Sequence, residues 1–333
     1  MSPILLPPNQ PPARFYKGGP RISTFRSITP PSGPRQPEDW VASTTCCHGQ
    51  TSLGLTTLPS GRLLSAEVES DPTHWLGPEH FAAYGADTKL LVKLLDAGER
   101  LPVHAHPSFS WAREHVAGAK CGKAECWYFL TPGTVHLGLK EGISDQDLLS
   151  LIKAQDSEKL LSLTHSLDVE ANQTIYIPPG LLHAIGEGIL LVEVQEPSDL
   201  SILCEWRDYQ IDGAADGHLG LGFEKAVTGV ERKGRSKEEI MALVSSPRDF
   251  GSVVAEESRE YFELERVEVK EEVACRQGFT IMIVLEGLIE MATETRQTLQ
   301  LKKGSTVVIP HADGEIKLRG DGEVVFARPP KPT

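Results

Sequence analysis

Short apolar runs alternate with turn residues along most of the chain. "GRLLSAEV", "TKLLVKLLDAG", "ERLPVHAH", "AECWYFLTPG" and "TVHLGL" are each followed by turn formers, and each reads as a strand. The pattern continues with "TIYIPPG", "HAIGEG", "ILLVEVQEP" and "LSILCEW". It returns over 260–328 with "YFELERVEV", "FTIMIVLEG", "LIEMATE", "QTLQLKKGSTVVIP" and "GEVVFARP". Strands this short, with turns at intervals of roughly 8–12 residues, predict a mainly β protein of sandwich or barrel type. Helical periodicity interrupts them over 144–166, where Ser144 and Asp147 stand at capping-box spacing and Leu148, Leu149 and Ile152 share a face. Ser236 and Glu239 open a second predicted helix, "SKEEIMALVSS".

The remaining segments divide the chain. Residues 1–13 are Pro-rich and predict an extended or disordered arm. "RFYKGGPRISTFR" (14–26) reads as strand, turn, strand around its Gly-Gly-Pro break. The Gly- and Asp-rich loop "IDGAADGHLGLG" (211–222) marks the boundary between a first β-domain, 14–215 with the helical insert 144–166, and a second, 216–333. The second resembles a weak internal repeat. "VLEGLIEMATETRQTLQLKKGSTVVIPHADGEI" keeps the strand and turn order of "WYFLTPGTVHLGL" through "LDVEANQTIYIPPGLLHAI", but only the first retains several histidines, so the second is expected to be structural.

Composition narrows the function classes. A chain of 333 residues with 40% hydrophobic and 24% charged residues is ordinary for a soluble globular protein. It contains no apolar run of ~18 residues, which argues against a transmembrane helix. "MSPILLPPNQPP" has no basic region ahead of an apolar core, so no signal peptide is expected. The 6 cysteines form no CxxC pair, a usage that suits a reducing, cytoplasmic setting; Cys46 and Cys47 are expected to be structural. A net charge of −13 argues against nucleic acid as a partner, although a local group of Lys and Arg can still hold one phosphate.

Candidate chemistry is concentrated in "LPVHAHPSFSWAREHVAGAKCGKAECWYFL" (101–130). His104 and His106 are two apart in a strand-like segment, which places both imidazoles on one face. Glu125 heads the next strand, and in Pro178-x-Gly180-x-x-His183 a sharp turn returns a third histidine to the sheet. Three imidazoles and a carboxylate suit Zn²⁺, Fe²⁺, Mn²⁺ or Ni²⁺. His74, His80, His115, His136, His165, His218 and His311 read as ordinary structural or surface residues. By strand alternation, Cys126 should point away from the metal.

Gly98-x5-His104-x-His106 and Pro178-x-Gly180-x-x-His183 resemble the two signature halves of the cupin superfamily. The long interval before Glu125 resembles the type I mannose-6-phosphate isomerases. So do "RFYKGGPRI", "HWLG", "LLVKLLDAGERLPVHAHP", "GKAECWYFL" and "IYIPPGLLHAIGEGILLVEVQEPSDLS". The resemblance implies a bicupin of two jelly-roll β-barrels, the second degenerate. It also implies a zinc ion held by His104, His106, Glu125 and His183, with His104 standing where that family usually has Gln. Lys123 matches a position in the substrate pocket. An arginine usually follows "SD" in the family, but here "SDLSILCEWRDY" places Leu203 at that point. Arg207, four residues later, shares its face if the strand continues; a solvated surface position suits it equally.

The implied activity is aldose–ketose isomerisation of a sugar phosphate, mannose 6-phosphate to fructose 6-phosphate or a related pair. Lys123, Arg207 and Glu193 are the candidate catalytic residues, with Glu193 favoured as base over Glu196 and Asp199. Arg113 and Lys120 join Lys123 as candidates for holding the substrate. A cupin oxygenase or decarboxylase and a non-catalytic sugar-binding protein are the alternatives. A monomer or homodimer with no membrane partner is expected.

Overall fold

Apolar residues of both parities in "FTIMIVL" require cover on two faces of one strand. The computed structural model describes residues 3–246, 248–294 and 298–332, and it supplies that cover. Ile281, Ile283 and Leu285 join a core shared with the first half of the chain, whereas Met282 and Val284 pack with Val307, Ile309 and Phe326 in a separate cluster. The strand concerned, Thr280–Thr293, lies inside an antiparallel sheet ordered Ile4–Leu5, Thr306–Ile309, Thr280–Thr293, Ile316–Arg328, Glu263–Cys275, Gly251–Ser252. Leu299–Lys302 pairs with the outer part of Thr280–Thr293, beyond a register shift at Val284/Glu286.

Two five-stranded antiparallel sheets build the first half. One runs Glu38–Val41, Leu91–Asp96, Leu190–Gln195, Glu125–Phe129, Thr174–Ile177. The other runs Ile202–Leu203, His104–Ala105, His183–Ile185, Gly133–Leu139, Thr164–Val169. Their inner faces meet in an apolar cluster that includes Leu95, Leu191 and Trp127 from the first and Val135, Leu137 and Ile185 from the second. The protein is mainly β, but hydrogen bonding does not close these sheets into barrels. Edge strands as short as Ile202–Leu203 leave few backbone groups with which to close a ring.

Several segments differ from the sequence expectation. "GRLLSAEV" is not a strand: Leu64–Ser70 is helical and buries Leu64, Glu67 and Val68, an i, i+3, i+4 set that a short apolar run does not distinguish from alternation. In "RFYKGGPRISTFR" the second half is the helix Pro20–Arg26, with proline in its first turn. The N-terminal arm is tied down rather than disordered. Ile4 and Leu5 pair with Val308 and Val307, and the Asn9 amide donates to Trp40 O at 3.0 Å and Gly54 O at 2.8 Å. Met1 and Ser2 of that arm, and Gln297 of the run "QTLQLKK", lie outside the described residues. The insert forms Asp145–Ala154 and Ser157–Leu163, the first capped by Ser144, and Ser236 with Glu239 completes a capping box on Lys237–Met241. Among the described residues no helix is long and apolar enough to cross a membrane.

Candidate metal centre

The histidine strands are brought together by backbone pairing. His104 lies directly opposite His183 in the sheet, and Gly180, at φ 89°, donates its N–H to His106 O at 2.6 Å. That left-handed conformation favours glycine and closes the Pro178–Gly180 turn against the His104–His106 segment. All three side chains are buried.

Each imidazole is oriented from behind. Nδ1 of His104 lies 2.8 Å from Pro102 O, that of His106 2.8 Å from Leu200 O, and that of His183 2.8 Å from Leu181 O. A carbonyl only accepts, so each Nδ1 carries the hydrogen and each Nε2 presents a lone pair. These lone pairs converge: His183 Nε2 is 3.0 Å from His104 Nε2, with no hydrogen between them to share. One ring nitrogen from each of the three histidines lies within 4.8 Å of the others.

Glu125 stands beside this group from the opposite sheet. Its Oε1 accepts from Trp127 Nε1 at 3.0 Å and lies 3.4 Å from His183 Nε2. Its Oε2 lies 3.2 Å from His106 Nε2 and 2.9 Å from Lys123 Nζ, yet accepts no well-directed hydrogen bond. Burial alone would raise the Glu125 pKa, but Lys123 and His106 outweigh it and hold the carboxyl well below its usual range. Burial pushes His106 and His183 down to about 3 and His104 well below its usual value. Neutral imidazoles and an ionised carboxylate are the protonation states that a divalent metal requires. Converging lone pairs and an unsatisfied buried carboxylate oxygen fit such an ion.

Above the histidines lies a cavity of about 50 Å³ lined by Arg14, Lys93, His104, Lys123, Glu193 and Leu203, among others. Lys93 and Glu193 are cross-strand neighbours, with Nζ 3.2 Å from Oε1, and Lys93 also stands over the Trp40 ring at 4.8 Å. Lys123 Nζ is 3.8 Å from the same Glu193 oxygen. Burial raises the Glu193 pKa against the pull of Lys93. Asp199 lies 3.8 Å from Lys93 Nζ and 3.7 Å from Arg14 Nη2, and its Oδ2 accepts from the His48 amide at 3.1 Å. It also borders a wider outer cleft of about 700 Å³ that includes Cys47, Lys120 and Ser198.

The sequence candidates therefore separate. His104, His106, Glu125, His183, Lys123 and Glu193 come together. Glu196 serves the backbone, accepting from the Ala124 amide at 2.9 Å. Lys120 is exposed at the outer cleft, and Arg113 is exposed with its guanidinium 5.5 Å from the Phe109 ring. Arg207 does not reach the cavity: the strand ends at Leu203, and Arg207 is exposed, donating to Ala154 O. Shared facing required a strand that continues, and the backbone instead turns away to bond Gln155. Cys126 is buried in the apolar core. Arg14, Glu38 and Lys93 escaped sequence reasoning. The only signal for Lys93 was a charge within an otherwise apolar run.

The family model for the cupin domain of mannose-6-phosphate isomerase matches residues 254–329. The mannose-6-phosphate isomerase of Streptococcus mutans is 28% identical over 264 residues, covering 76% of this chain and 79% of that protein. ManA of Bacillus subtilis, also named mannose-6-phosphate isomerase, is 28% identical over 251 residues, covering 72% and 74%. In fold, the chain matches the crystal structure of the Bacillus subtilis enzyme with a TM-score of 0.74 at 24% identity, covering 98% of this chain and 100% of that one. The apo mannose 6-phosphate isomerase of Salmonella typhimurium matches with a TM-score of 0.74 at 16% identity, covering 99% and 100%. With the histidine and glutamate signatures in place, the chain is similar in sequence to mannose-6-phosphate isomerases, and its residues 254–329 match the cupin domain of that family.

Proposed function

We propose that the protein is an aldose–ketose isomerase that interconverts mannose 6-phosphate and fructose 6-phosphate. The observation that carries this reading is the convergence of three histidine lone pairs beside Glu125, under a cavity lined by Lys93, Lys123 and Glu193. We take the architecture to be a bicupin of two jelly-roll units, 14–215 around the site and 216–333 as its degenerate partner. The protein is assigned to the cytoplasm, as a monomer or homodimer.

His104, His106, Glu125 and His183 would hold the ion, which we assign as zinc. When bound, it would supply Lewis-acid stabilisation of charge on the sugar oxygens. Lys123, buried beside Glu125, donates to a substrate oxygen and favours negative charge there. Glu193 is the base that removes the C2 proton of the aldose and returns it to C1 of the ketose, while a hydroxyl proton passes between O2 and O1. Burial raises its proton affinity toward that of a useful base, and Lys93 holds the carboxylate in place. The outer cleft, with Lys120 at its edge, is wide enough to hold the rest of a hexose phosphate.

The test is metal content together with a coupled assay of mannose 6-phosphate conversion. About one zinc per chain is expected, with turnover that disappears in His183→Ala. Stoichiometric metal without turnover of any hexose phosphate would overturn the isomerase reading in favour of an oxygenase or decarboxylase, or of a sugar-binding protein.

A further inference from the structure

Leu203 faces the reacting end of the cavity. It is the register partner of His104 and lines the same space, so the nearest position on that strand contributes no charge. The cations come from elsewhere, and they are not equally committed. Lys93 is engaged by Glu193 and Lys123 by Glu125.

Arg14 differs. Its Nε donates to Glu38 Oε1 at 3.1 Å. Glu38 is itself fixed, accepting from the Tyr16 hydroxyl at 2.6 Å and from Trp40 Nε1 at 2.7 Å. The guanidinium is thus anchored at one corner, while Nη1 and Nη2 donate no hydrogen bond to any described residue. Nη2 is 3.7 Å from Asp199 Oδ2, close enough for attraction but too far for a hydrogen bond. The Arg14 side chain is 18% exposed, so it sits where the cavity opens toward solvent. An arginine fork held rigid by its Nε, with neither Nη group hydrogen-bonded and Nη2 only loosely paired with Asp199, is built to take oxygen ligands.

We propose that Arg14 is a catalytic residue that holds a substrate oxygen at the reacting end. From the N-terminal segment it supplies the guanidinium that the strand of Leu203 does not. This assignment rests on the isomerase reading. Negative charge develops on the sugar oxygens as the proton leaves carbon, so the fork binds the transition state more tightly than the sugar, and its loss falls mainly on kcat.

The experiment compares wild type, Arg14→Met, Leu203→Arg and the double variant Arg14→Met/Leu203→Arg, each measured for kcat, KM, zinc content and Tm. Arg14→Met should retain zinc and lose about 10²-fold in kcat with a smaller change in KM. Adding Leu203→Arg should restore at least about tenfold, since an arginine there approaches the same cavity from the opposite wall. A folded, zinc-loaded Arg14→Met enzyme with undiminished kcat overturns the assignment and leaves the isomerase reading intact. So does a loss that Leu203→Arg does not relieve at all. Wild type without turnover instead sinks the isomerase reading and takes this assignment with it. Should Arg14→Met fail to fold, Arg14→Gln, which can still donate to Glu38, replaces it in the same comparison.

Discussion

At the scale of single residues, the cavity separates groups that bind from groups that hold. His104, His106 and His183 are each held from behind by a carbonyl, which fixes the ring and its tautomer together. Glu193 is held by Lys93 yet remains accessible to the cavity. Glu193→Gln keeps the shape and removes the proposed base. It should lower kcat about 10³-fold while metal content stays at wild-type level, as steady-state kinetics with metal analysis would show. A variant that keeps full turnover would move the base elsewhere. The histidines and Glu125 were legible because strand parity and one turn suffice to bring them together. Arg14, Glu38 and Lys93 were not, since each reaches the cavity only through sheet pairing and loop paths that no local pattern records. Arg207 shows the reverse: parity was applied beyond Leu203, where the strand had already ended.

At the scale of elements, the histidine strand is short and depends on its neighbours. Glu205 is the main support. It accepts from Arg100 Nη1 at 2.7 Å and from the Val103 amide at 2.9 Å, one residue before His104. Burial would raise the Glu205 pKa, but the Arg100 hydrogen bonds and the Val103 amide outweigh it, leaving the carboxyl below its usual value. A lowered folded pKa means that this stabilisation is complete above the unfolded carboxylate pKa of about 4.3 and fades as pH falls through the folded value. Glu205→Gln should therefore cost about 2 kcal/mol at pH 7. The difference in Tm from wild type should shrink as the pH is taken below about 4. An equal difference at both pH values would mean that the charge contributes nothing. The helices capped by Ser144 and Ser236 were readable from their capping residues. Leu64–Ser70 and Pro20–Arg26 are only a turn or two long, and at that length strand and helix patterns coincide.

At the scale of the molecule, the two halves are not independent. Ile281, Ile283 and Leu285 from the late sheet share a core with Val92, Leu94 and Trp127 from the first half. One cooperative thermal transition is expected in calorimetry, and two resolved transitions would contradict the shared core. The N-terminal arm fastens the same junction: Leu6 is buried at 4% exposure, and Arg26 Nη2 donates to Leu6 O at 2.8 Å and to Thr306 Oγ1 at 2.8 Å. Removing residues 1–8 should lower stability by about 3 kcal/mol, measured by denaturant unfolding, with metal content unchanged. The mainly β class followed from strand spacing. The arm's role did not, because its partner lies at the other end of the chain.

That pairing has a consequence for synthesis. Arg26 and Thr306 are 280 positions apart, and Ile4–Leu5 docks on Thr306–Ile309. All four groups around the proposed metal position have left the ribosome well before Thr306 is made. A nascent chain can therefore assemble its histidines while Ile4–Leu5 still lacks its partner strand. The order of assembly is then set by translation: the metal pocket and the anchor of Arg14 on Glu38 are available first, and the first strand docks only once the last sheet has been made.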